Sequence, residues 1–314
     1  MSTNTLEQGT LVVFLAEEDD LEIQINAFLV DRKAQRMASG TLAFYRKKLR
    51  LFSTYCDSQA LNRIVEIKPN DIREYLLWLE AKGHNQGGVH ACFRALRTFL
   101  YWWENEIEPD GWKNPIRKVR APRLDTKQLE PVDIGIIKSM LETCDRHTLT
   151  GRRDRAAFIF LMDTGVRAGE FVELDLADCE YPSGAVTVRR GKGGKPRTVF
   201  MGRKTLKVVR SYLRLRDDEC PALWVTDEGT RIKYSGLRSM VVRRAKKAGV
   251  KPPSLHSFRR FFALQCLRNG MDIFTLQKAM GHADLTVLRR YLAQTSEDVQ
   301  AAHRIAGPVD NVDW

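Results

Sequence analysis

The helical periodicity of the first hundred residues stops near Glu104, and that interruption divides the chain. Residues 105–130 hold Pro109, Gly111, Pro115 and Pro122 with little apolar period, a composition that ends helices and connects domains. Before it, Leu42, Tyr45, Leu49 and Phe52 recur at spacings of 3, 4 and 3, with Ser39 as the expected N-cap. Val89, Phe93, Leu96, Leu100 and Trp103 recur at 4, 3, 4 and 3. Such spacing draws one apolar stripe along a helix. Leu21 to Gln35 gives a further amphipathic helix, and Pro69-Asn70-Asp71 opens another through Leu79. Four or more helices that share their seams make a bundle. The expected organisation is a helical domain over 1–110 with an acidic start at 1–20, a basic linker over 111–128, and a second domain over 129–314.

After Pro131 the pattern turns to α+β. Helices are expected at 131–144, 152–163, 168–175 and around Leu206, Val209 and Leu213. Further helices are expected at 235–248, 255–269, 272–280, 284–293 and 296–305. Val186 and Val188 alternate with Thr187 and Arg189, Gly191-Lys192-Gly193-Gly194 makes a turn, and Arg197 to Met201 returns, a short hairpin. Ala222 to Val225 reads as one more strand. The fold expected is therefore mainly α with a small antiparallel sheet.

Charge narrows the partners. The 314 residues carry +12. Residues 1–25 hold six acids and no Lys or Arg, whereas 186–216 hold eleven Lys/Arg and 231–260 hold ten, each without an acid. Acid-free basic stretches repel one another in a compact fold unless a polyanion neutralises them, and nucleic acid is the first candidate. No apolar run approaches the ~20 residues of a membrane span. The opening MSTNTLEQGT lacks the pattern of a secretory signal. The six cysteines have no ligand spacing, which argues against a disulfide scaffold and a zinc site and for reduced, mostly packed thiols in a cytosolic protein. The acidic residues 1–25 read as a flexible tail that mimics DNA, as a contact to a neighbour's basic surface, or as an aid to solubility, the last being the default.

Four local patterns carry chemistry. In Thr164-Gly165-Val166-Arg167-Ala168-Gly169-Glu170, the glycine ends one helix and Arg167 begins the next. An Arg at a helix start opposes the dipole unless an anion sits there, and Glu170, three residues on, can orient the guanidinium. Lys192 sits in the glycine-rich turn, a mobile proton donor. His256 and Arg259 share one helical face beside the stripe Phe258, Phe262 and Cys266, a pair suited to an anionic transition state. Gly281-His282 breaks a helix, and Tyr291 follows nine residues after His282, flanked by Arg289 and Arg290. Taken singly, each has a plain structural reading: a surface ion pair, a solvated hairpin tip, a capped helix, an aromatic packed on a seam.

In order and spacing together, these patterns resemble the tyrosine recombinase (phage integrase) family of Xer- and Cre-like site-specific recombinases. That family's pattern is Thr-Gly-x-Arg-x-x-Glu, a Gly-Lys-Gly hairpin, His-x-x-Arg, Gly-His, and a Tyr nine residues later. The match spans residues 164–291. Phe258 stands where Leu is common and Leu292 where small polar residues are frequent; neither touches a reactive group. The resemblance implies a C-shaped clamp of an N-terminal core-binding domain and a catalytic domain. It implies Tyr291 as nucleophile forming a 3′-phosphotyrosyl link, Arg167 and Arg259 on the phosphate oxygens, and Lys192 as donor to the leaving oxygen. His256 assists proton transfer, His282 bonds the phosphate or its surroundings, and Glu170 supports Arg167.

The resemblance further implies no metal, ATP or other cofactor. The partners it implies are double-stranded DNA with specific recombination sites, a homotetramer on that DNA, and an accessory recombinase or directionality factor. Candidate DNA contacts are Arg46, Lys47, Arg50, Arg94, Arg97, Lys118, Arg120, Lys195, Arg197, Arg243 and Arg244. The final segment Thr295 to Ile305 either docks on a neighbouring protomer or caps its own domain. A type IB topoisomerase-like relaxation enzyme and a catalytically silent DNA-binding protein are the competing readings. The first is disfavoured by the compact length and the Gly281-His282 spacing, the second by the intact set of reactive residues.

Overall fold

The structure, a computed structural model, describes residues 19–124, 130–189, 196–281, 300 and 303–304. It is mainly helical, with a three-stranded antiparallel sheet among the described residues. The chain divides into two compact units, residues 1–126 and 127–314. No helix among the described residues is long and apolar enough to cross a membrane.

The first unit contains α1 (Leu21–Ala34), α2 (Ser39–Ser58), α3 (Pro69–Ala81) and α4 (Gln86–Ile107). Asp20 starts α1 by accepting the N–H groups of Glu22 and Ile23 at 3.0 and 2.9 Å, which satisfies two of the donors left open at a helix start. Asp19 pairs with Arg63 at 2.8 Å. These two acids of the 1–25 stretch thus anchor the unit's first helix. Ser39 is the first residue of α2 rather than its cap, because the Ala38 carbonyl already accepts the first helical bonds from Thr41 and Leu42. The seams meet in an aromatic core. Phe28, Phe52, Tyr75, Phe99 and Trp103 are fully buried, and Phe52 meets Tyr75 edge to face with ring centroids 5.0 Å apart.

Residues 112–119, within the stretch expected to be a linker, fold onto this unit. Trp112 meets Trp103 edge-on at 4.7 Å. Ile116 and Val119 are buried, and a 3₁₀ turn spans Pro115–Lys118. The buried Asn114 amide donates to the Leu100 carbonyl and to Glu104, both at 3.1 Å, while its oxygen accepts the Ile116 N–H at 3.2 Å. A buried amide is accommodated where its hydrogen bonds are made, as they are here.

The second unit contains α5 (Ile134–Glu142), α6 (Leu149–Thr164), α7 (Ala168–Val172), β1 (Cys179–Glu180), β2 (Ala185–Val188) and β3 (Arg197–Phe200). Helices α8 (Arg203–Leu213), α9 (Tyr234–Lys247), α10 (Leu255–Arg268) and α11 (Ile273–Met280) follow. The sheet order is β1-β2-β3, with Val186 opposite Val199 and Val188 opposite Arg197. Val186, Val188 and Val199 are buried while Thr187 is exposed, the period of two that a half-covered sheet requires. Helix α6 is the unit's spine, packed against α8 and α10 through Ala156, Ala157, Phe158, Phe160 and Leu161.

Ala222–Val225 is not a strand of the sheet. It makes only isolated bridges, Ala222 to Asp175 and Val225 to Arg231. All four residues are buried, with Trp224 stacked on Phe171 at 4.6 Å and on Tyr212 at 5.6 Å. A short continuous apolar run marks burial, not strand pairing. The candidate helices at 284–293 and 296–305 and the turn at 191–194 lie outside the described residues, apart from 300 and 303–304.

Candidate active site

Helix ends assemble the site. Helix α6 stops at Gly165, whose φ of +59° lies in the left-handed region. A Cβ there would lie 2.2 Å from Cδ1 of the Phe262 ring on α10, so both backbone and space demand glycine. Two residues on, Arg167 precedes α7. Its N–H donates to Glu170 Oε2 and its Nη1 to Glu170 Oε1, each at 2.8 Å. The i, i+3 spacing read from sequence therefore does hold the guanidinium against the carboxylate.

Helix α10 starts at Ser254, whose hydroxyl accepts the Ser257 N–H at 3.2 Å. One turn in, Arg259 is 2% exposed. It donates to the Gly165 carbonyl and to the Met280 carbonyl, both at 2.6 Å. His256 lies on the exposed side of that first turn. Partial burial, then the charges of Arg260, Arg259 and Arg167, hold its imidazole below the usual histidine range. The shift favours the neutral imidazole, which lies within electrostatic reach of all three arginines.

The third helix end is that of α11. Its last carbonyls have no intrahelical partners and carry partial negative charge. Three successive ones each take a guanidinium. Ala279 accepts Arg197 Nε at 3.0 Å, Met280 accepts Arg259, and Gly281 accepts Arg167 Nη2 at 3.3 Å. Gly281 itself has a φ of +62°.

Arg197 also binds Glu170 bidentately, Nη1 to Oε1 at 2.8 Å and Nη2 to Oε2 at 2.6 Å. Burial opposes ionisation of Glu170, but the bonds from Arg197 and Arg167 outweigh it and pull the carboxyl down to about 2. Two guanidinium groups thus share one carboxylate, and a third, that of Arg259, is tied to the same helix ends beside the His256 imidazole. Guanidinium forks match phosphate oxygens, and positioned charge stabilises a developing oxyanion. Among the described residues no three His, Cys, Asp or Glu side chains gather as metal ligands.

Four of the site residues expected from sequence, Arg167, Glu170, His256 and Arg259, are therefore neighbours. Lys192, Lys195, His282 and Tyr291 lie outside the described residues. Two of the expected DNA contacts are buried in ion pairs. Arg197 is 9% exposed and held by Glu170. Its place on β3 explains this: 197, 199 and 201 share one face, and Val199 and Met201 are buried. That alternation was legible in the sequence and pointed Arg197 inward. Arg244 is 5% exposed, bound to Asp154 at 2.7 Å and to the Thr143 carbonyl at 2.6 Å, because it continues the buried stripe of Leu237 and Val241.

Arg243 is exposed, though it too reaches Asp154 at 3.2 Å. Arg46, Lys47, Arg50, Arg94, Arg97, Lys118 and Arg120 are exposed. A groove between α2 and α4 is lined by Phe44, Tyr45, Arg94, Arg97 and Tyr101, with the guanidinium groups of Arg97 and Arg117 5.6 and 5.1 Å from the Tyr101 ring.

The sequence profile of the phage integrase family matches residues 135–298, and that of the phage integrase N-terminal SAM-like domain matches residues 25–106. The chain belongs to the phage integrase family, the tyrosine recombinases, enzymes that cleave and rejoin DNA. Among its relatives, tyrosine recombinase XerA of Pyrococcus furiosus is 29% identical over 264 residues, covering 82% of this chain and 88% of the relative. Tyrosine recombinase XerD of Staphylococcus saprophyticus is 26% identical over 262 residues, covering 81% and 88%. The fold is shared with the Tn1549 transposon integrase in complex with transposon right end DNA (TM-score 0.74, 18% identity, 92% of this chain and 99% of that one). It is shared also with a lambda integrase tetramer bound to a Holliday junction (TM-score 0.72, 14% identity, 89% and 80%).

Proposed function

We propose that this protein is a site-specific recombinase that cuts and rejoins DNA through a 3′-phosphotyrosyl intermediate on Tyr291. The observation that best supports this is the convergence of Arg167 and Arg259, with His256 beside them, on the carbonyls of Gly281 and Met280. The next residue is His282, and Tyr291 follows nine later.

The Tyr291 hydroxyl oxygen attacks the phosphorus and its proton passes to His256, for which the neutral imidazole is competent. Arg167 and Arg259 bind the non-bridging oxygens and stabilise the charge that develops on them. The P–O5′ bond breaks, and the leaving oxygen takes a proton from Lys192. His282 bonds the phosphate or its surroundings. The phosphotyrosyl bond keeps the energy of the phosphodiester, so attack by the 5′-hydroxyl of another strand rejoins the DNA without ATP. Two charged forks, a lysine and an imidazole supply the charge and proton transfers of this scheme without a metal.

Exchange between two duplexes needs four such sites. We infer sequential strand exchange in a homotetramer on DNA, the assembly named for the lambda integrase complex, with an accessory recombinase or directionality factor as a further partner. The exposed cations of α2 and α4 supply the phosphate contacts that position a duplex. We infer that it acts where its DNA substrate lies, in the cytoplasm at the nucleoid.

Covalent trapping tests the reading. The protein is mixed with a pool of nicked random-sequence duplexes in EDTA and denatured in SDS. The expected result is a DNA-shifted, protease-sensitive band that Tyr291→Phe does not form. Retarded DNA in a native gel without any adduct would favour the silent DNA-binding protein.

A further inference from the structure

We propose that Arg197 is a positioning residue for strand cleavage: it locks the Glu170 carboxylate that orients the Arg167 guanidinium and braces the chain where it turns at Gly281 toward His282. The proposal rests on the catalytic reading of Arg167 given above.

Glu170 has two carboxylate oxygens and each accepts two bonds. Oε1 takes Arg167 Nη1 and Arg197 Nη1, both at 2.8 Å. Oε2 takes the Arg167 backbone N–H at 2.8 Å and Arg197 Nη2 at 2.6 Å. A carboxylate offers about four lone-pair sites, so this one is full. Its plane cannot rotate without breaking a bond, and the Arg167 guanidinium inherits that fixed plane. Arg197 is the partner that closes the set, through the fork-to-fork geometry that gives Arg its directional strength.

Charge points the same way. Alone with Glu170, Arg167 would sit in a neutral pair and offer little field to a phosphate. With Arg197 sharing the carboxylate, the trio keeps one net positive charge. Arg197 thus holds Glu170 for orientation while preventing it from cancelling the charge of Arg167.

The second leg runs to α11. Arg197 Nε donates to the Ala279 carbonyl at 3.0 Å. A Cβ at Gly281 would lie 2.9 Å from Arg197 Cδ and 3.2 Å from its Nε. The left-handed turn at Gly281 is therefore packed directly on the Arg197 side chain. One residue spans the orienter of Arg167 and the point where the chain leaves α11, and the inward face of β3 delivers it there.

The alternative is the role expected from sequence, a contact to the DNA backbone. The two differ in what a substitution changes. The assay uses a nicked duplex, recovered from the random pool, on which the parent forms its covalent adduct. Arg197→Gln, Arg197→Lys, Glu170→Gln and the Arg197→Gln/Glu170→Gln double variant are compared with the parent. For each, the single-turnover adduct rate at saturating protein, the DNA affinity and its salt dependence, and the melting temperature are measured.

Arg197→Gln should slow the saturated rate by about 10–100-fold, because a misplacement of about 1 Å in a reacting geometry costs up to about 10²-fold. Its DNA affinity and salt slope should match the parent's. Arg197→Lys should recover part of the rate. The double variant should be no slower than the slower single variant, because both act through one unit. Should Arg197→Gln not fold, Arg197→Lys carries the rate measurement alone.

An unchanged saturated rate would overturn the proposal. So would a loss confined to DNA affinity with a shallower salt slope, which would put Arg197 on the phosphate backbone, or multiplicative losses in the double variant. A parent that forms no adduct on any duplex overturns the catalytic reading and this proposal together. An adduct-forming parent with an unaffected Arg197→Gln overturns this proposal alone.

Discussion

Arg259 reaches from α10 to the carbonyl of Gly165 at 2.6 Å, and so fastens one guanidinium of the site to the turn that delivers the other. Arg167 stands two residues beyond that carbonyl. The two are not independent surface charges but parts of one hydrogen-bonded knot of helix ends, which also holds Glu170 against Arg167. Substitutions in the knot should reveal how tightly it is tied.

Glu170 should make the second domain acid-sensitive. Its carboxyl is drawn from 4.5 to about 2 in the folded protein. A group whose folded value is depressed contributes stability above its unfolded value and loses it as pH falls toward its folded value. For a shift of this size the contribution at neutral pH is on the order of 3 kcal/mol. Denaturant unfolding of parent and Glu170→Gln should therefore differ at pH 7, and the difference should shrink between about pH 4.5 and 2. A difference independent of pH would contradict this.

Gly165→Ala should be among the most damaging single-atom additions to the chain. It forces a non-glycine residue to a φ of +59° and drives its Cβ into Phe262. Strain and overpacking together should cost about 2–4 kcal/mol, read as a lower melting temperature. Gly169→Ala, with no atom within 4 Å of the added Cβ, is the control and should melt with the parent.

Asp154 should be structural and indispensable. It is fully buried and bonded to Arg153, Arg244 and Arg243 at 2.7, 2.7 and 3.2 Å. Asp154→Ala leaves buried guanidinium groups uncompensated, a loss of about 3–5 kcal/mol. Circular dichroism melting should show it, whereas removal of the exposed Lys47 should leave the melt unchanged.

The pH dependence of cleavage should report His256. Its imidazole is held below its ordinary 6.5, so the neutral, proton-accepting form persists into mild acid. The adduct-forming rate should rise with pH through a midpoint under 6.5 and then level. His256→Ala should lower the rate and abolish that step. A midpoint at or above 6.5, or a step that survives the substitution, would contradict the assignment.

Much of this was legible in the sequence because helices advertise themselves. The seams through Leu49 and Leu96 and the start at Pro69 became α2, α4 and α3 with small shifts at their ends. The glycine stop and Arg–Glu spacing at 165–170 became the turn and ion pair read from them. What was missed depends on tertiary neighbours. Residues 112–119 look like a linker until Trp103 and Leu100 are there to receive Trp112 and Asn114. The apolar run at 222–225 is core without being strand. Strand β1, two residues long, is too short to show a period. Charge alone marks Arg197 and Arg244 as DNA contacts, whereas the faces they occupy bury them.

The central claim is that Tyr291 carries the DNA between cutting and rejoining. The direct measurement is mass spectrometry of the trapped adduct after nuclease and trypsin digestion. The account predicts a nucleotide remnant on the peptide that contains Tyr291, joined through a 3′-phosphate, and no adduct from Tyr291→Phe. A remnant on any other residue, or an undiminished adduct from Tyr291→Phe, would contradict it.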